Sequence, residues 1–220
     1  MRHLIHHNAW RLKLNREQLN RERLMAALCM QESTGWKDRR PNYEPAFYLG
    51  GKFANAPLVN HWQTGVEDAL HEAIGKLVAS SFGPWQLMFP VAVELGFQGH
   101  PFELADPYVN IEYAIRYINT RCLDKGLKGL AAGGDETGDG AVTEDDLVLQ
   151  IADAFNSGTH LDRFKPEDYM HRVLAHYKSP TLFEDLAALP DWYPRRRQVE
   201  GPPEVYDEPE PEGTEEGAHG

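Results

Sequence analysis

The chain has 220 residues, 41% of them hydrophobic, with five tryptophans and a formal net charge of −12; that is enough apolar material for one good-sized core, and no apolar run reaches the ~18 residues of a membrane-spanning helix. The charge is unevenly placed, with eight acids, four prolines and no Lys or Arg in residues 198–220 and six more acids in residues 135–146. Outside those two stretches 20 acids face 22 Lys and Arg, a near-neutral body that lacks the basic footprint of a nucleic-acid binder even with the short run Arg195–Arg197.

The opening stretch MRHLIHHNAWRLKLNREQ has basic residues but no continuous apolar segment and no small-residue cleavage site, so no signal peptide is expected. The first strong helix signal is LMAALCMQESTGW, residues 24–36. Met25, Cys29 and Glu32 fall at i, i+4 and i+7 on one side, broadened by Leu24 and Leu28, with Asn20 as the cap and Gly35 as the stop. Between Trp36 and Trp62 the pattern fails in favour of Pro, Gly, Asn and aromatics, which predicts an irregular insertion or short hairpin. Thr64 with Glu67 predicts a capping box, followed by a stripe of Val66, Leu70, Ile74, Leu77 and Val78. Pro90 opens a short helix that stops before Gly96, and Asp106–Pro107 opens a stronger one with Ile111, Ile115, Ile118 and Cys122 on one face. Two further helices carry Leu147, Ile151, Phe155 and Tyr169, Val173, Tyr177, and Thr181 with Glu184 predicts a last capping box before Pro190.

The expected architecture is mainly α, one domain over residues 1–194. An acidic, Pro-rich tail over 195–220 cannot bury enough apolar surface to order itself. Cys29 and Cys122 each lie on an apolar stripe and read as buried thiols, with a disulfide between them left open.

Glu32 is the first residue that calls for chemistry. It sits in the last turn of its helix, where the dipole is negative, on the face that carries the apolar stripe. Dipole and burial both disfavour its ionised form, which raises its pKa toward what a general acid near neutral pH needs. The plainer alternative is an outward-turned, solvated glutamate. A second informative stretch is SSFGPWQLMF, residues 80–89, where small residues and Gly83 let the backbone and Gln86 approach a ligand and Gln86 offers donors and an acceptor suited to a sugar. A third is ADAFNSG, residues 152–158, where Asn156 ends an apolar helix.

Together these segments resemble the lytic transglycosylase family related to goose-type lysozyme. That family pairs a helix ending in Glu-Ser with a Ser-x-Gly-x-x-Gln-x-Met segment and an Ala-Tyr-Asn-x-Gly segment. Here they stand as Glu32-Ser33, Ser81 to Met88, and Ala154-Phe155-Asn156-Ser157-Gly158. ADPYVNIEYAIRYI, 105–118, resembles the family's Asp-Pro-x-x-Asn-Ile helix, and YMHRVLAHY, 169–177, its closing helix, so the resemblance spans about residues 8–178. It implies a lysozyme-like helical fold and cleavage of the β-1,4 bond between N-acetylmuramic acid and N-acetylglucosamine in peptidoglycan strands. Glu32 would protonate the glycosidic oxygen, and the muramic acid's own 6-hydroxyl would then form a 1,6-anhydro product. Ser33, Ser81, Gln86 and Asn156 would orient the sugar or support Glu32. Phe155 departs from the family's tyrosine, which removes a hydroxyl there.

Glu44, in RRPNYEPAFY, is similar to a Tyr-Glu-Pro stretch of phage-like members of the family. At ~6.5–9.5 Å from Glu32 it could activate water in an inverting, lysozyme-type hydrolysis; the alternative is a loop ion pair with Arg39 or Arg40. A third reading, kept open by Phe155, is a non-catalytic glycan-binding or virion structural module. With no signal peptide recognised, the expectation is a protein made in the cytoplasm that acts on the cell wall, phage-encoded or exported by another route. It is expected to act as a monomer without an organic cofactor.

The acidic stretch DETGDGAVTEDDL, 135–147, has the spacing of an EF-hand loop. Asp135, Thr137, Asp139 and Asp146 take positions 1, 3, 5 and 12, Gly140 permits the turn, Ala141 offers its carbonyl and Val142 anchors the loop. The pattern resembles dockerin loops, which also close on Asp. The expectation is a structural calcium, bound weakly because of Thr137 and the short final carboxylate. The alternative is a solvated acidic loop joining two helices.

Overall fold

The computed structural model describes residues 1–14, 19–44, 75–123, 143–157 and 167–189. The chain divides into Met1–Leu189 and Pro190–Gly220. The tail expected over 195–220, the Thr64–Glu67 cap and the insertion beyond Glu44 lie outside the described residues.

The described part of the first unit is mainly helical: α1 (Arg2–Asn8), α2 (Arg21–Ser33), α3 (Phe89–Glu94), α4 (Pro107–Tyr117), α5 (Glu144–Ser157), α6 (Glu167–Lys178) and α7 (Leu182–Asp185). A small antiparallel sheet runs in the order β1 (Asn42–Tyr43), β2 (Ser80–Phe82), β3 (Leu87–Met88). Asn42 faces Ser81 and Ser81 faces Met88, so the one described strand of the segment 36–62 pairs with Ser80–Phe82, outside that segment. Among the described residues no helix is long and apolar enough to cross a membrane.

Helix starts follow the local chemistry. The Asn20 side chain accepts from the Arg23 N–H at 3.1 Å, and Asp106 accepts from Tyr108 and Val109, each satisfying donors the first turn leaves unpaired. Thr143 and Asp146 cap α5 reciprocally: the Asp146 N–H donates to Thr143 Oγ1 and the Thr143 N–H donates to Asp146 Oδ2 at 2.8 Å, a capping box. The box expected at Thr181 and Glu184 does not form: the Glu184 N–H donates to the Thr181 carbonyl at 2.8 Å, and the Thr181 hydroxyl donates to Asp185. The stripe of α4 continues as expected through Ile118 and Cys122, both fully buried, but as a π-helical turn over Ile118–Cys122.

The spacing of α2 suggests one apolar side; the structure encloses it further. Every residue from Leu24 to Cys29 is 0% exposed, so α2 is a core helix buried on all faces, not an amphipathic one. It packs against α6, and α6 packs against α5. The Arg23 guanidinium donates to the Tyr177 and Ser179 carbonyls at the end of α6, where a cation suits both the unpaired carbonyls and the dipole. Arg23 opens α2 while Tyr177 closes α6, so the two helices run antiparallel. Both cysteines are buried free thiols, so the structure holds no Cys29–Cys122 disulfide, and the desolvated Cys29 thiol is pushed up to about 12.

The β2–β3 turn is bolted to the helices by one side chain. Asn110, 0% exposed on α4, accepts from the Trp85 N–H and donates to the Phe82 carbonyl, both at 2.9 Å. Gly83, at φ +75°, exists for this contact: a Cβ there would stand 2.5 Å from both the Asn110 amide carbon and the Leu104 carbonyl oxygen. The sequence suggested that Gly83 lets a ligand approach; the close approach is to Asn110. Replacing Asn110 by Ala is expected to strand a buried donor and acceptor and to cost about 2–4 kcal/mol, measured as a fall in the denaturant midpoint with α-helical circular dichroism retained.

Candidate active site

Glu32 lies one residue before the end of α2, next to a turn made of three consecutive left-handed residues, Thr34 (φ 53°), Gly35 (φ 67°) and Trp36 (φ 67°). Two of the three are not glycine, a conformation that persists only when the surroundings fix it. Here they do. Ser33 Oγ donates to the Pro84 carbonyl at 2.8 Å and accepts from the Trp36 N–H at 2.9 Å, and the Gly35 carbonyl accepts from the Ala187 N–H at 2.8 Å. Ser33 is 3% exposed, so it holds the end of α2 to the β2–β3 turn and presents no surface to a ligand.

Glu32 keeps some exposed surface as a residue, but its carboxyl end is packed by protein and raised to about 7, first by burial and further by the charge of Glu44. The Tyr169 hydroxyl on α6 donates to Glu32 Oε1, and this bond favours the ionised form and works against burial. Burial wins, so the carboxyl is held near the middle of the neutral range. The Tyr169 hydroxyl itself is pushed well up, by burial and then by Glu32. Tyr117 is also raised by burial, and it feels Cys122, Arg121, Glu94 and Glu32 in turn. The surroundings of Glu32 therefore include two phenols that stay protonated. A carboxyl in this state can deliver a proton near pH 7 and take one back, which is the requirement for general acid–base catalysis.

Glu44 follows directly after β1. Its N–H donates to the Ala79 carbonyl at 2.9 Å and its Oε1 accepts from the Asn42 side chain at 2.6 Å. The carboxyl is raised by partial burial. The loop ion pair with Arg39 or Arg40 is not made: Arg40 pairs with Asp38 at 2.7 Å and Arg39 stacks on Trp36 at 4.3 Å. Strand pairing of β1 with β2 thus puts Glu44 on the side of the molecule where its charge is felt by Glu32.

The other expected residues fall into two groups. Ser81, 3% exposed, donates to Gln86 Oε1 at 2.9 Å, and Gln86 Nε2 donates to the Gly83 carbonyl at 2.9 Å. Gln86, at φ 43° and partly exposed, is therefore held in its own turn with one face outward. Asn156 is exposed at the end of α5. Phe155 is 8% exposed and packs edge-on against Tyr117, ring centroids 5.4 Å apart; it is a core residue, and the phenols near Glu32 come from Tyr117 and Tyr169. The sequence placed Tyr169 only on a helix stripe. A phenol on a stripe shared with Val173 and Tyr177 needs a buried partner for its O–H, and Glu32 was the apolar-face acceptor in search of a donor.

Of the expected calcium ligands, Asp135, Thr137, Asp139 and Ala141 lie outside the described residues. Asp146 is 0% exposed, and its Oδ2 takes both the N–H and the hydroxyl of Thr143. Among the described residues no group of three or more His, Cys, Asp or Glu is arranged to hold a metal ion. Comparison with protein-family models, with curated proteins and with solved structures finds no match for this chain.

The raised value of Glu32 has a thermodynamic sign. The folded state binds this proton more tightly than the unfolded chain, so the stability it contributes is full below about pH 4.5 and is lost as the pH rises through about 7. Glu32→Gln keeps the acceptor for Tyr169 and cannot ionise. It is expected to be more stable than the wild type at pH 8, by up to about 3 kcal/mol, and nearly equal to it at pH 5, measured by urea unfolding at both values.

Proposed function

We propose that this chain is a lysozyme-like helical enzyme that cleaves the β-1,4 bond between N-acetylmuramic acid and N-acetylglucosamine in peptidoglycan, as a lytic transglycosylase. The observation that carries the reading is the Glu32 carboxyl, desolvated to a pKa of about 7 and bound by the Tyr169 hydroxyl. It stands in the Glu-Ser, Ser-x-Gly-x-x-Gln and Asn-x-Gly order from which the resemblance was read. Protonated Glu32 donates to the glycosidic oxygen as the bond to the anomeric carbon breaks. The carboxylate so formed then takes the proton of the muramic acid's 6-hydroxyl as that oxygen attacks the same carbon. One carboxyl gives and recovers one proton, no water is consumed, and a 1,6-anhydro end results. Burial favours the first state and Tyr169 the second, so neither is a deep trap. Ser81 and the β2–β3 turn hold Gln86 for the sugar, and Asn156 is exposed at the end of α5.

A second reading, lysozyme-type hydrolysis with Glu44 as the base for water, is favoured by one observation: Glu44 has no ion-pair partner among the described residues and its charge is felt by Glu32. The non-catalytic module loses its main support, because Phe155 is core packing and the site has phenols from elsewhere.

The test is mass spectrometry of muropeptides released from purified sacculi. Wild-type products one water lighter than hydrolytic ones are expected, with release falling above pH 7 as Glu32 ionises, and Glu32→Gln should slow release about 10³-fold or more. Reducing-end muramic acid, lost on Glu44→Gln, would establish hydrolysis instead; no release from the wild type would sink both.

The loop 135–146 is proposed to bind a structural calcium ion. Asp146 fits this only in part, because it is fully buried and its Oδ2 is committed to the cap of α5, which agrees with weak binding. Adding a calcium chelator is expected to lower the melting temperature by a few degrees, reversed by excess calcium; identical melting curves would remove the site.

A further inference from the structure

The segment between the two carboxylates, residues 33–43, carries the sequence Lys37-Asp38-Arg39-Arg40. Asp38 and Arg40 neutralise each other, with Arg40 donating from Nε and Nη2 to the two Asp38 oxygens at 3.0 and 2.7 Å. That leaves Lys37 and Arg39, both exposed and neither paired with a carboxylate among the described residues. Their base is rigid. The Asp38 N–H donates to the Ser33 carbonyl at 3.1 Å, the Trp36 N–H to Ser33 Oγ, and Trp36 is 4% exposed. The Arg39 guanidinium lies over the Trp36 ring at 4.3 Å, a cation–π contact that steadies it without using a carboxylate partner.

These two cations stand on the segment that joins Glu32 to Glu44, beside a site whose own ionisable groups include two carboxyls. An anionic ligand would be repelled by such a surface unless local positive charge offsets it. An exposed arginine that has no carboxylate partner is the side chain best matched to a carboxylate ligand. We propose that Lys37 and Arg39 bind the carboxylates carried on the muramic acid substituent of the glycan strand, and so set a preference for carboxylate-bearing strands over neutral ones. This rests on the peptidoglycan reading above. The carboxylates have two sources, the peptide stem and the lactyl group left when the stem is removed.

The experiment is co-sedimentation of the Glu32→Gln protein, which binds without cleaving, with intact sacculi, amidase-stripped sacculi and chitin. Tighter binding to intact sacculi than to chitin is expected. Lys37→Gln/Arg39→Gln in the same background should weaken that binding about 3- to 10-fold, as should 0.5 M salt, while Arg39→Lys retains part of it. Preference kept on stripped sacculi assigns the lactyl carboxylate; preference lost there assigns the stem. Equal binding to sacculi and chitin, or no effect of the double substitution, overturns the proposal and leaves the cleavage reading standing. Failure to sediment with any of the three, together with no muropeptide release by the wild type, overturns both.

Discussion

Enclosure of α2 is the constraint from which the site follows. A helix buried on every face from Leu24 to Cys29 is held fast among its neighbours, and in its partly exposed last turn the Glu32 carboxyl itself is desolvated. Glu32 must therefore keep its carboxyl among protein atoms, and the cost falls on the charged form. Tyr169 offsets part of that cost with a donated hydrogen bond. The register that brings Tyr169 there is set at the other end of the helix pair, where Arg23 closes the carbonyl end of α6. Nine residues of α2 separate Arg23 from Glu32 and eight of α6 separate Tyr169 from Tyr177, so at ~1.5 Å per residue the two spans nearly match. Anchoring one end delivers the other.

The second half of the site is held to the first by buried polar contacts rather than by apolar fit alone. Trp85 donates from its indole to the Met25 carbonyl, Ser33 reaches Pro84, and Asn110 closes the turn from beneath. Each of these is a buried group whose loss would leave another unpaired, which makes the arrangement specific as well as stable. They also sustain the left-handed backbone at Thr34, Trp36 and Gln86. Strain of this kind is worth retaining where side-chain direction matters, and here it turns the chain sharply after Glu32 and holds Gln86 in the β2–β3 turn.

Much of the helical framework could be read directly from the residues. Asn20, Asp106 and the proline after Asp106 mark helix starts, and the structure uses them as caps. The spacing of Ile111, Ile115, Ile118 and Cys122 identified a buried face, and the position of Glu32 at the end of an apolar helix indicated a perturbed carboxyl. Local misreadings were also local in cause. Thr181 had two acids within reach and bonded the further one, Asp185. Gly83 was read as making room for a ligand because a glycine beside a turn says only that something comes close, not what.

What the sequence determined by itself is whatever depends on neighbours within about a turn: caps, periodicity, the placement of a carboxylate in a last turn and the burial that its face implies. What only the tertiary structure decided is which distant groups meet. Tyr169 lies 137 residues from Glu32, Asn110 lies 25 from Trp85 and Ser33 lies 51 from Pro84. Phe155 was assigned to the site by position and to the core by its contact with Tyr117, and Glu44, read either as a base for water or as an ion-pair partner of Arg39 or Arg40, is joined through its N–H to the Ala79 carbonyl. Spacing along a helix or strand fixes direction relative to its own axis. Partners across the core depend on how those axes pack, and that is decided by burial of whole faces and by the few polar bonds that set their register.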